Sequence, residues 1–246
     1  GEYIDTTWYQ QQVLAALADD NATQAVVVYI DSPGGMIGGA MSLYQQLRTI
    51  AAAGKPVVAV IANLGASGGY LAALGADYIV ANETSLVGSV GTLLPLADLT
   101  RLADKIGIQA DEVVSGKMKT ATSPLRTRTA AERLYLQDTV NDLNSMFIDK
   151  VKQRRKPTPE AMRLIAEARI FSGRTAKALG MVDALGNLPE AMAWLETQQV
   201  DPTLPLLEVS LVEELPWYEE FGAGVVAPLE RVVGQVAPLT PALLAR

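Results

Sequence analysis

Neither cysteine nor histidine occurs anywhere in the 246 residues. The first absence removes disulfides, thiol nucleophiles and thiolate-held metals, and the second removes imidazole, the usual general base. A zinc site would have to rest on carboxylates alone, so no metal is expected, and no cofactor either. Zero cysteine fits an oxidising or a reducing compartment equally well. Basic residues are also in the minority, 20 Lys and Arg against 27 Asp and Glu, for a net charge of −7. That balance lacks the basic footprint on which nucleic-acid affinity rests, and no nucleic acid is expected as a partner. The one dense basic run, Lys150, Lys152, Arg154, Arg155 and Lys156, reads as the solvated end of a helix favoured by its dipole.

A membrane-spanning run is missing too. Residues Pro56 to Ala76 carry no charge, close to the ~20 residues a spanning helix needs. Within them, however, Val57-Val58-Ala59-Val60-Ile61 is short and β-branched, and Gly65, Gly68 and Gly69 interrupt the remainder. This pattern predicts a buried strand, a tight turn and a short helix. There is no initiating Met and no signal-peptide pattern, so an excised portion of something longer is expected, with any membrane anchor outside it.

The residues present suit a large core, since 49% of them are hydrophobic. Strand-like and helix-like patterns alternate: a helix over Trp8–Leu17, a strand over Ala25–Ile30, a helix over Gly38–Ala52, a strand over Val57–Ile61, a helix over Ser67–Leu74 and a strand over Tyr78–Ala81. The stretch Leu99–Lys105 then precedes a strand over Gln109–Val114. Thr129–Val151 predicts a long amphipathic helix with Leu134, Val140, Leu143, Phe147 and Val151 on one face. Alternation of this kind gives an α/β fold with a largely parallel sheet built from repeated βα units. From Val200 the composition shifts, with Pro202, Pro205, Pro216, Pro228, Pro238 and Pro241 among apolar residues. Residues 1–199 are therefore expected to form one domain, and 200–246 an extension lying on a surface or a partner.

Reactive groups in such sheets gather at the carboxyl ends of strands. Three glycine-bearing segments fall there: Asp31-Ser32-Pro33-Gly34-Gly35, Leu64-Gly65-Ala66-Ser67-Gly68-Gly69-Tyr70, and Val87-Gly88-Ser89-Val90-Gly91. Singly, each reads as a tight βα turn. Together, with a serine set among small residues, they point to a nucleophile at Ser67. Gly34 and Gly35 permit a bend that aims amides at an oxyanion, and the amide of Gly68 offers a second donor. Without imidazole, the hydroxyl needs another base, and Lys119 lies in a segment that can present one. Read alone, Lys119 fits equally well as a solvated loop lysine beside Lys117, and Ser89 as a turn hydroxyl. Asp31 reads as a turn residue and Asp183 as a loop hydrogen-bonding residue.

Ser32-Pro33-Gly34-Gly35, Ala66-Ser67-Gly68-Gly69-Tyr70, Val87-Gly88-Ser89-Val90-Gly91, Ser115-Gly116-Lys117-Met118-Lys119 with Ser123-Pro124, and Phe171-Ser172-Gly173-Arg174 through Gly180-Met181-Val182-Asp183 occur in this order. Jointly they resemble the signal peptide peptidase A family of serine peptidases over about residues 23–190. The resemblance implies a Clp/crotonase-like fold and a serine–lysine dyad. Ser67 matches the nucleophile, Lys119 the general base, Ser89 a serine that hydrogen-bonds the base, and Gly35 with Gly68 the oxyanion hole. It also implies a ring-like or dome-like homo-oligomer with the dyad completed between neighbours, and attachment to a bacterial-type cell membrane through an N-terminal anchor, the catalytic part on the outer side. The substrates implied are remnant signal peptides or other apolar, membrane-associated peptides. A catalytically silent membrane-protein scaffold and a crotonase-like acyl-CoA enzyme are the competing functions. The apolar end Pro238–Arg246 itself resembles such a peptide and is expected to compete weakly for the cleft.

Overall fold

The computed structural model describes residues 3–4 and 8–209. In chain order the elements are β1 (Tyr3–Ile4), α1 (Trp8–Asp19), β2 (Val26–Ser32), β3 (Gly34–Gly35), α2 (Ile37–Ala52), β4 (Val57–Ala66), α3 (Gly68–Ala73), β5 (Tyr78–Ala81), β6 (Leu86–Gly88), α4 (Thr100–Lys105), α5 (Ala130–Arg155), α6 (Pro159–Ala166), β7 (Ile170–Ser172), α7 (Gly173–Ala178), β8 (Ala184–Leu185) and α8 (Leu188–Thr197). The architecture is α/β with a largely parallel sheet, as the alternation predicts.

β4 is the spine of that sheet. It pairs in parallel with β2 along one edge, and on the other with β5 through Val58–Ile61 and then with β6 through Leu64–Ala66. β5 pairs β8 in parallel, and the antiparallel β6–β7 pair closes the far side. A strand embedded on both edges and both faces should be continuously apolar, and Val57 to Ile61 are all buried. Alternate residues serve different layers. Val57, Ala59 and Ile61 join the main core with α2, α3 and Phe147 and Val151 of α5. Val58 and Val60 face the opposite side, where Ala191 and Leu195 of α8 cover them. Tyr78 and Trp194 stack there with ring centroids 4.9 Å apart.

Three expectations are corrected. Residues 109–114 form no strand; Val113 is fully exposed and no neighbouring strand among the described residues supplies the hydrogen bonds that a β pattern needs. On α5, Leu134 is 63% exposed, and Leu136 turns inward with Phe147 and Val151. The basic run is not wholly solvated. Arg154 donates to the carbonyls of Leu74 and Ala76 at 3.1 and 2.8 Å, capping the end of α3, and Arg155 forms a two-bond fork with Asp183 at 2.8 Å each. Asp183 in turn accepts the amide of Ile79 at 2.8 Å, so this pair fastens α5 to the β5 edge. The loop role read for Asp183 is thereby realised in detail.

Lys150 lies 5.2 Å from the ring of Tyr44, and α5 opens on Thr129 with a capping box to Glu132. Among the described residues, no helix is long and apolar enough to cross a membrane. Most of the extension read at 200–246, including the candidate competitor at 238–246, lies outside the described residues.

Candidate active site

The carboxyl ends of β2, β4 and β6 converge, and each delivers one of the glycine-bearing segments. β4 ends at Ala66 and α3 begins at Gly68, so Ser67 occupies the junction with φ 51° and ψ −120°. A residue with a β-carbon seldom takes a positive φ, and the strain is of the order of 1–3 kcal/mol. It persists here because both flanks are fixed. The Ser67 amide donates 2.8 Å to the carbonyl of Gly88, while its carbonyl accepts the amide of Leu71 at 3.0 Å inside α3. The resulting sharp strand-to-helix turn holds the half-buried Ser67 out from the buried stretch Gly68–Ala73.

The β2 segment packs directly against this turn. Gly34 has φ +114°, and a β-carbon there would lie 2.8 Å from Ser67 Cβ and 2.9 Å from the Gly68 amide nitrogen. A β-carbon on Gly68 would lie 3.2 Å from the amide nitrogen of Gly35. The backbones of Gly34–Gly35 and Gly68 thus lie in close contact beside Ser67, where an oxyanion site would need its two amides. Gly34 serves a different need: it is the close-approach residue that lets the two segments touch. Buried Ser32 shapes the bend, its hydroxyl accepting the Gly34 amide at 3.2 Å. Gly69 admits the carbonyl of Ser32, which would stand 2.9 Å from a β-carbon there.

Ser89 comes directly after β6 with φ 52°, and its amide donates 2.8 Å to the carbonyl of Arg169. The Ser67–Gly88 hydrogen bond places the two serines on adjoining strand ends. Lys119 stands apart. It is exposed in a run of turns, its amide donating 3.0 Å to Gly116. No hydrogen bond joins it to Ser67 or Ser89 among the described residues of the single chain. Asp31, read as a turn residue, instead lies within β2 and accepts from the side-chain amide of Asn63 on the neighbouring β4 at 2.9 Å, outside this constellation. Among the described residues no group of three or more carboxylates could hold a metal.

The structure adds residues that pattern reading passed over. Glu112, Arg126, Arg128 and Glu132 gather where the Lys119 segment meets α5. Thr129-Ala130-Ala131-Glu132 is a capping-box signature that was legible in the sequence. The two arginines announce themselves only through the carbonyls and carboxylates they reach in the fold. Beside them, Leu93, Leu94, Ile106, Val113 and Met118 leave much apolar surface exposed on the segment between Ser89 and α5.

Comparison with known proteins bears on this site. The model of peptidase family S49 matches residues 49–201, which include Ser67, Ser89 and Lys119. A candidate protease of Methanocaldococcus jannaschii is 32% identical over 94% of this chain and 78% of its own length. A candidate signal peptide peptidase of Enterococcus faecium is 27% identical over 76% of this chain and 54% of its own. Among solved structures, an enoyl-CoA hydratase/isomerase family member is 18% identical over 81% of this chain and 67% of that one, with a TM-score of 0.48, a likeness too slight to carry weight.

Proposed function

This chain belongs to peptidase family S49, the family of the signal peptide peptidase A proteins, and we propose that it is a serine endopeptidase working through Ser67 and Lys119. The observation that carries the reading is the strained turn at Ser67 with the Gly35 and Gly68 amides beside it. In this scheme the Ser67 hydroxyl oxygen bonds to the carbonyl carbon of the scissile peptide as Lys119 Nζ takes its proton. The carbonyl oxygen becomes an oxyanion and receives the amides of Gly35 and Gly68. Collapse breaks the C–N bond, Lys119 returns the proton to the leaving amine, and water hydrolyses the acyl-serine by the same proton route. Ser89 orients the lysine.

The exposure of Lys119 supports completion of the dyad by a second copy. A lysine base needs a dry surrounding, and a single chain leaves residues 104–119 open to solvent. The uncovered apolar side chains on that segment suit burial against another copy, in a ring or dome. Substrates are extended apolar peptides, remnant signal peptides among them, bound along the glycine-rich strand ends. The chain then acts beside a membrane, attached through a segment outside the described residues.

Mixing tests the reading. Ser67→Ala and Lys119→Ala should each abolish cleavage of an Ala/Leu-rich reporter peptide while melting like wild type. After verified subunit exchange, the mixture should regain activity, since some interfaces then pair an intact serine with an intact lysine. No recovery would place the dyad within one chain, and full activity in either single variant would remove that residue from the mechanism.

A further inference from the structure

The segment carrying Lys119 is tied to the start of α5 by charged groups that the reaction scheme does not use. Nearly every side chain from 104 to 119 is exposed, so burial does little to offset the ~1–2 kcal/mol per residue that ordering a backbone costs. Its conformation rests on polar contacts instead. Consecutive turns fold it, with the amides of Lys119, Ala121 and Ser123 donating to the carbonyls of Gly116, Met118 and Thr120 at 3.0, 3.2 and 2.9 Å. Ala121 is the residue that sinks inward, with 2% exposure.

Two arginines brace these turns from the start of α5. Arg128 donates Nε to the carbonyl of Ala121 at 3.0 Å, and Nη2 to the carbonyls of Ala97 at 2.7 Å and Ser123 at 3.4 Å. Arg126 lies between two carboxylates. Its Nε is 3.2 Å from Glu112, and its two terminal nitrogens reach the buried Glu132, one of them at 3.1 Å. Glu132 also accepts the amide of Thr129 at 2.8 Å, at the N-cap of α5. The nearby hydroxyls of Ser123 and Thr120, and then Arg126, hold the Glu112 carboxyl below the usual range. Thr120 is the neighbour of Lys119. Ion pairs and hydrogen bonds thus run from the cap of α5 through Glu132 and Arg126 to Glu112, while Arg128 holds the carbonyls of Ala121 and Ser123 just past the lysine.

We propose that Arg126, held between Glu112 and Glu132 and seconded by Arg128, is a positioning residue of the peptidase reaction that fixes where Lys119 is presented. The inference rests on the reading of Lys119 as the base, and it holds whether Lys119 serves its own Ser67 or a neighbour's. The planar fork of a guanidinium is what serves two carboxylates at set angles, and an ammonium would not replace it.

The test uses the full chain and an Ala/Leu reporter peptide, with kcat, KM and melting measured for Arg126→Ala and, alongside, Lys119→Ala. A base displaced by about 1 Å loses about 100-fold in rate, so Arg126→Ala should lose kcat on that scale while KM stays within about twofold and Ser67 still takes up a serine-directed phosphonate. Added guanidinium ion should return part of the lost kcat in Arg126→Ala and leave wild type unaffected. A kcat within twofold of wild type overturns the proposal, as does a loss that guanidinium does not relieve. Should Arg126→Ala fail to fold, Glu112→Gln takes its place, with a kcat loss of about tenfold at unchanged KM; an unchanged kcat there overturns the proposal. If Lys119→Ala is inactive while Arg126→Ala is not impaired, the positioning role alone is wrong. If Lys119→Ala is fully active, the base assignment falls and this inference with it.

Discussion

Ser67 and Ser89 are joined through one peptide unit: the amide of Ser67 donates 2.8 Å to the carbonyl of Gly88, the residue preceding Ser89. Both serines hold a positive φ, 51° and 52°. Two strained residues on adjoining strand ends do not arise from local preference, since each is unfavourable for serine. The β4–β6 register, with Ala66 opposite Gly88, imposes both at once. The sheet, rather than a loop, therefore fixes the backbone of both serines, including that of the proposed nucleophile Ser67.

That platform leaves no room at Gly34. Gly34→Ala adds a β-carbon 2.8 Å from Ser67 Cβ at a φ of +114° that alanine rarely adopts. The expected cost is about 1–3 kcal/mol of stability, with kcat/KM falling far more than the loss of folded protein accounts for, because the strand that carries Gly35 must move. Urea unfolding and peptidase kinetics on the same sample check this. An alanine variant as active and as stable as wild type would mean that the close approach is not needed.

Acid should release the tie between the Lys119 segment and α5 late. Arg126, then the Thr129 amide, hold the Glu132 carboxyl down at about 2, against about 4.3 in an unfolded chain. A carboxyl whose folded value is depressed stabilises above its unfolded value, and that contribution fades as pH falls from about 4.3 towards about 2. Wild type should melt above Glu132→Gln at pH 7, and the gap should close across that interval. A gap of constant size from pH 7 to pH 2 would contradict an ionised Glu132 at the cap.

Much of this was legible in the sequence, for physical reasons. The strand at Tyr78–Ala81 and the helix up to Ala52 emerge where prediction puts them, because short β-branched runs and 3.6-residue periodicity are local signals. The glycine-bearing turns come together as read because close backbone approach admits little else, as Gly34 and Gly69 show. Leu134 was misplaced although the spacing excludes it: Leu136, Val140, Leu143, Phe147 and Val151 recur every three or four residues, whereas Leu134, two positions before Leu136, falls on nearly the opposite side of α5. The strand expected at 109–114 rests on Val113 and Val114 alone and finds no partner edge among the described residues, which only the fold can supply. Arg126, Arg154 and Arg155 look like surface charges in sequence; their carbonyl and carboxylate partners lie elsewhere in the chain.

The central claim, that Ser67 is the nucleophile, is tested most directly by active-site labelling. A serine-directed phosphonate should add once per chain, with the adduct mapped to Ser67 by peptide mass, and Ser67→Ala should take up none. Lys119→Ala should label far more slowly while remaining folded. An active wild-type preparation that takes up no phosphonate, or carries it on another residue, would contradict the account.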